Sequence, residues 1–187
     1  MLDGAARVEE LVTEVANQKM PAIAITDHGN VFGAYDFNKK ALKAGVKPII
    51  GIEAYVAPES RFDKRRVKWA QGGEDDVSGG GAYTHMTLLA ENNEGLSNLF
   101  KLSSLASLEG YYYKPRMDRE LLSKYAKGII ATTGCPGGEV QTRLRMGAFK
   151  EAKAAASELR DIFGAENFYL EIMDHGIEIE SRVKSDL

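Results

Sequence analysis

Apolar positions along the chain switch between two periods, and the switches mark out the elements. Val8, Leu11, Val12 and Val15 recur at helical spacing, predicting an amphipathic helix over residues 6–19 with Asp3 near its start. PAIAIT (residues 21–26) is an apolar run of strand length, and the DHGN that follows reads as a turn. Residues 32–44 return to helical spacing, with Gly45 as a stop and Pro48 just beyond it. PIIGIEAYV (residues 48–56) is the next strand. The pattern then lapses over residues 58–82, a long loop with a basic stretch, RFDKRRVKW, and an acidic, glycine-rich one, EDDVSGGG. A loop of that length inside a compact domain is usually functional or disordered.

Order resumes with YTHMTLLA, a helix near residues 95–108, the tyrosine-rich connection YYYKPRMD and a short helix around 120–126. The strand GIIATT leads into GCPGGE, then a helical pair (140–146 and 149–163), the strand FYLEIM and a second DHG turn at 174–176. Strands alternating with helices predict an α/β fold with mainly parallel strands. The opening helix has no strand before it, and the closing IEIESRVKSDL resembles a helix stopped midway. The chain is therefore expected to be one partial domain over residues 1–187, truncated at both ends.

Composition changes this picture little. The chain has 187 residues, is 44% hydrophobic and 27% charged, and carries a formal net charge of −3. That balance does not advertise nucleic-acid binding, which would need local basic patches or bound cations. No apolar run approaches the roughly 20 residues of a membrane span, and no signal peptide opens the chain. A cytoplasmic protein without membrane contact is the expectation. The single cysteine, Cys135, excludes an internal disulfide and is core filler, ligand or nucleophile.

Asp3, His28 and Glu53 stand 25 residues apart, 3 to 28 and 28 to 53, about the length of one β-α unit. In parallel α/β barrels the loops after the strands gather on one rim, where active sites form. His28 follows PAIAIT directly, Glu53 sits within its strand, and Cys135 follows GIIATT. Carboxylate, imidazole and thiolate converging on a rim suit zinc or manganese. His85 fits less well, because it lies near the start of its strand. Each residue also has an ordinary reading. Asp3 fits a helix cap and His28 a tight turn. His85 fits a hydrogen-bonded core histidine and Cys135 a small buried hydrophobe. Glu53 is harder to dismiss, since a carboxylate in an apolar strand is costly unless paired or metal-bound.

Taken together, the segments MPAIAITDHGNVFGAYDFNKKALKAGVKPIIGIEAYVAP, YTHMTLLAENNEGLSNLFKLSS and GIIATTGCPGGEVQTRL closely resemble the PHP (polymerase and histidinol phosphatase) domain of the bacterial DNA polymerase III alpha subunit. The resemblance implies a distorted (β/α)7 barrel with up to three divalent metal ions, zinc, manganese or magnesium. It places Asp3, His28, Glu53, His85 and Cys135 on metal-ligand positions. It also implies a His-x-His pair before MLDG and an Asp-x-His pair after the second DHG, neither in this chain. In the metal-binding branch the domain is a 3′–5′ proofreading exonuclease on the DNA primer 3′ end. Its partners are the rest of the polymerase chain and, through it, replicase subunits such as the sliding clamp.

The chemistry implied is metal-assisted phosphodiester hydrolysis, with the isolated chain expected to be inactive. His175, in the second DHG, is a peripheral catalytic candidate, a proton donor or phosphate contact. Arg116, beside the tyrosines 111–113, and Arg143 and Arg145, after GCPGGE, are candidate DNA contacts. A solvated helix face or packing against the rest of a polymerase is the alternative for these. Two other functions remain open: a metal-free structural module of the polymerase, and a stand-alone PHP phosphoesterase.

Overall fold

The computed structural model describes residues 4–70 and 79–187. Asp3 and residues 71–78 of the long loop, which include its acidic run, lie outside the described residues. Helix α1 (Val8–Asn17) buries Val12 and Val15, two of the positions its apolar spacing singles out. Helix α2 (Ala34–Lys43) buries Phe37 and Ala41 and ends in Gly45 at φ 74°, where the Val46 N–H donates to Ala41 O at 2.9 Å. This left-handed closure is why a glycine stands there. Both helices pack on β1 (Ala22–His28) and β2 (Lys47–Val56), with Val12, Val15, Phe37, Ala41 and Val46 in one cluster.

A six-stranded sheet runs in the order β1-β2-β3-β5-β6, with β3 at Thr84–Ala90, β5 at Ile129–Thr132 and β6 at Phe168–Tyr169. The short β4 (Arg116–Met117) pairs with β2 off that path. The β1/β2, β2/β4 and β5/β6 ladders are parallel, but β3 is antiparallel to both β2 and β5. The expected mainly parallel order thus breaks at β3. No crossover helix longer than a turn joins β2 to β3 among the described residues, so β3 returns against its neighbour. The expected strand over FYLEIM keeps only its first two residues in the ladder.

The pleat sorts the side chains. Ile52, Ala54 and Val56 of β2, Met86 and Leu88 of β3, and Ile129 and Ala131 of β5 enter the main core. There they meet Leu99, Leu102 and Ala106 of α3 (Asn93–Leu108), Leu121 and Leu122 of α4 (Arg119–Tyr125), and Leu159 and Phe163 of α6 (Phe149–Phe163). The intervening residues Glu53, Tyr55, His85, Thr87 and Thr132 therefore project from the other face. Helix α5 (Glu139–Arg145) follows the Cys135 loop, and α7 (Glu178–Ser181) lies near the end of the chain. No helix among the described residues is long and apolar enough to cross a membrane.

The basic stretch of the long loop is largely solvated, with Phe62, Lys64, Arg65, Arg66 and Lys68 exposed, but Arg61 pins its start to the body of the domain. Arg61 is buried, donating to Glu109, Asp118 and Glu120 at 2.6–3.1 Å. Burial opposes its charge, but these three carboxylates more than restore it and hold its pKa above the ordinary arginine value. Farther along, Trp69 lies under the guanidinium of Arg143 at 3.9 Å.

Candidate metal centre

Strand direction brings the candidate ligands together. His28 closes β1 directly opposite Glu53 of β2, and His85 of β3 stands opposite Tyr55, two residues farther along β2. Because β3 is antiparallel, its first residues lie at the same edge as the last residues of β1, β2 and β5. This removes the difficulty over His85: the start of an antiparallel strand is the end of its parallel neighbours.

Ligand-type atoms of Glu53, His85 and Cys135 all lie within 4.8 Å of one another. His85 Nδ1 is 2.5 Å from Glu53 Oε1, and His28 Nε2 is 3.5 Å from Glu53 Oε2. Glu53 thus spans both histidines. Glu53 and His85 are mostly buried, whereas the His28 side chain is 45% exposed. Burial disfavours the charged form of His85, but hydrogen bonds with Cys135 and Glu53 and their negative charge outweigh it, holding its pKa up at about 9. An imidazole whose charged form is favoured by its neighbours, despite its burial, marks a place where the protein favours positive charge.

The loop after β5 is built to present Cys135. Gly138 has no alternative there, because a Cβ on it would stand 2.1 Å from Thr133 O. The Gly137 N–H donates to Cys135 Sγ at 3.4 Å and the His85 N–H to Gly137 O at 3.0 Å, tying loop to strand. One carboxylate, one imidazole and one thiol form a donor set that zinc accepts. Ligands at ~2.0–2.3 Å from a tetrahedral ion lie about 3.5 Å apart, which this cluster reaches with small adjustments. The residues present fit a divalent metal.

Two residues that sequence reasoning passes over join this face. Tyr55 places its hydroxyl 3.3 Å from His28 Nδ1 and packs edge-on against His85, with ring centroids 5.3 Å apart. Its signal was its position two residues from Glu53 in a strand, hence on the same face. Glu171 accepts a hydrogen bond from Thr132 Oγ1, which also accepts the Gly134 N–H at 3.2 Å. Its signal was the one that marks Glu53, a carboxylate inside an apolar run.

The other candidates fall differently. His175 is tied to Glu180, Nδ1 to Oε1 at 2.8 Å, and Glu180 lines a small cavity with Cys135 and Glu171. His175 itself is not among the clustered ligand atoms. Arg116 corrects the expectation of a DNA contact. It is fully buried and donates to the carbonyls of Gly110, Ala82, Arg61 and Asp63 at 2.8–3.1 Å. With its donors turned inward it locks the long loop to β4, and burial lowers its pKa. Arg143 donates to Glu139, and Arg145 to Pro136 O and Thr142 Oγ1, so phosphate would have to displace a protein partner at either.

The PHP domain family matches residues 1–175. The chain is similar to the DNA polymerase III subunit alpha of Saccharopolyspora erythraea, at 62% identity over 196 residues. It is likewise similar to that of Mycobacterium tuberculosis, at 58% over 190 residues, and of Thermus aquaticus, at 46% over 189 residues. All of this chain is covered in each case, but only 15–16% of the relatives' own length.

Proposed function

The chain belongs to the PHP domain family, in the form found in DNA polymerase III alpha subunits, and from that premise we propose that the His28–Glu53–His85–Cys135 rim is a metal-dependent phosphodiesterase site. Its reaction is 3′–5′ exonucleolytic removal of nucleotides from a DNA primer end, within a DNA-directed DNA polymerase. The observation that carries this reading is the convergence of Glu53, His85 and Cys135 within 4.8 Å, with His28 beside them. The open sheet is proposed to form part of the family's distorted (β/α)7 barrel, with Asp3 as a further ligand. The rest of a polymerase chain, and the sliding clamp through it, are the proposed partners in the cytoplasm.

Glu53, His85 and Cys135 would hold a divalent cation, zinc or manganese in preference to magnesium because two of the three donors are nitrogen and sulfur. When bound, the cation supplies Lewis-acid polarisation of a phosphoryl oxygen and lowers the pKa of water. The protein's own residues do the rest. Glu53 fixes the two histidines relative to each other. If His28 Nδ1 donates to the Tyr55 oxygen, Nε2 keeps its lone pair toward Glu53, the tautomer a ligand needs. The Gly137 N–H holds Cys135 Sγ toward the cluster. His175 is proposed as a peripheral proton donor held by Glu180. Arg143 and Arg145 are proposed to meet phosphate from α5, each exchanging a protein partner for it.

A second reading has one observation in its favour. The Glu53–His85 ion pair already satisfies both groups, as a metal-free structural module would require. Elemental analysis of the full-length subunit, with exonuclease assays of wild type and Glu53→Ala, separates the two. Bound metal and activity lost in the variant support the phosphodiesterase; a metal-free wild type, or equal activity in both, supports the module.

A further inference from the structure

Beside the ligand cluster stands a tight turn that contributes no atom to it. The Tyr112 N–H donates to Lys114 O at 3.0 Å, closing a turn whose tip, Tyr113, has φ 62°. A bulky residue in the left-handed region is an outlier, held only where its surroundings demand it. Here Tyr113 remains 57% exposed, with the Arg66 guanidinium 5.1 Å from its ring centroid and Tyr112 4.5 Å away. The turn is anchored to the rim. Pro115 packs over Gly29, where a Cβ would stand 2.8 Å from the proline ring and 2.9 Å from Tyr55.

The next residue, Lys114, carries its ammonium 5.5 Å from the centroid of the Tyr55 ring. That ring is bonded through its hydroxyl to His28 and packed on His85. An exposed cation therefore stands one aromatic ring away from both histidines, without a carboxylate partner among the described residues. Exposed aromatic faces interleaved with arginine and lysine suit a single strand, whose bases stack while its phosphates pair. A duplex would keep those bases out of reach.

We infer that the Tyr112–Lys114 turn is a subsite for single-stranded DNA, with Lys114 on the phosphate neighbouring the scissile one and Tyr113 under a base. Tyr55, interposed between Lys114 and the histidines, separates this phosphate from the cluster. The inference deepens the phosphodiesterase reading and rests on it for the strand's direction.

The test is binding without cleavage, by fluorescence anisotropy of a short labelled oligothymidylate in EDTA. Lys114→Ala should weaken binding about tenfold and reduce the slope of log affinity against log salt by about 0.7, the single-strand value for one phosphate. Tyr113→Gly, which suits the left-handed backbone, should keep the fold and weaken binding about tenfold through lost stacking. Lys47→Ala, at the opposite end of β2, should change little. Wild-type affinity and slope in both turn variants would overturn the subsite, as would a wild type that prefers duplex. The outcomes stay distinguishable from those of the parent reading. Binding that depends on Lys114 without any hydrolysis in manganese would sink the phosphodiesterase and keep the subsite. Hydrolysis with binding indifferent to Lys114 would do the reverse.

Discussion

Replacing Tyr55 by phenylalanine removes one hydroxyl from the candidate metal centre and little else. The ring stays wedged edge-on against Tyr83 and His85, at centroid distances of 4.9 and 5.3 Å. What is lost is the contact with His28 Nδ1 at 3.3 Å. Hydrogen-bond partners behind metal ligands are worth about 10–100-fold in metal affinity, since they fix ring orientation and tautomer. The long 3.3 Å separation and the half-exposed His28 place this case at the low end, about tenfold, or ~1.4 kcal/mol. Zinc affinity measured by chelator competition should fall by that factor in Tyr55→Phe while the melting temperature of the metal-free protein stays within a few degrees. Affinity unchanged from wild type would refute the role assigned to the hydroxyl. A parallel collapse in melting temperature would show that the ring, not the hydroxyl, is what matters.

Two further outcomes follow from the same geometry. Arg61→Met leaves Asp118, itself buried, without its cation; breaking one side of such a pair costs about 3–5 kcal/mol, readable by urea denaturation at neutral pH. In the metal-free protein the His85 pKa is raised to about 9, above its unfolded value near 6.5. Its contribution is therefore fully present below about pH 6.5 and lost as pH rises through about 9, a difference of at most ~3 kcal/mol. Denaturation at several pH values should show that loss in wild type and not in His85→Gln, and equal pH dependence in both would overturn the assignment.

Much of the candidate site was legible along the chain because it sits at strand ends. His28, Glu53 and Cys135 follow or occupy apolar runs bounded by turn residues, and a short-range pattern reveals such places. Tyr55 and Glu171 carried the same local signals, a period-two partner and a carboxylate in an apolar run. Arg116 misled for a physical reason. Its neighbours, three tyrosines and a lysine, describe a nucleic-acid surface, and the lysine and Tyr113 do remain exposed. Yet the guanidinium itself turns inward to carbonyls at residues 61, 63, 82 and 110. Nothing within a few residues of Arg116 announces most of those acceptors.

The sequence by itself determined the order of helices and strands, the residues that alternate into the core, and the types of ligand atom offered to the rim. Periodicity does this because a side chain's face depends only on its own backbone. Strand direction, and the acceptor each buried charge finds, were decided by the tertiary structure alone. Antiparallel β3 carries His85 to the ligand edge, and distant carbonyls and carboxylates capture Arg116 and Arg61. Those outcomes depend on which distant segments meet, and a buried charge settles wherever the folded chain offers it compensation.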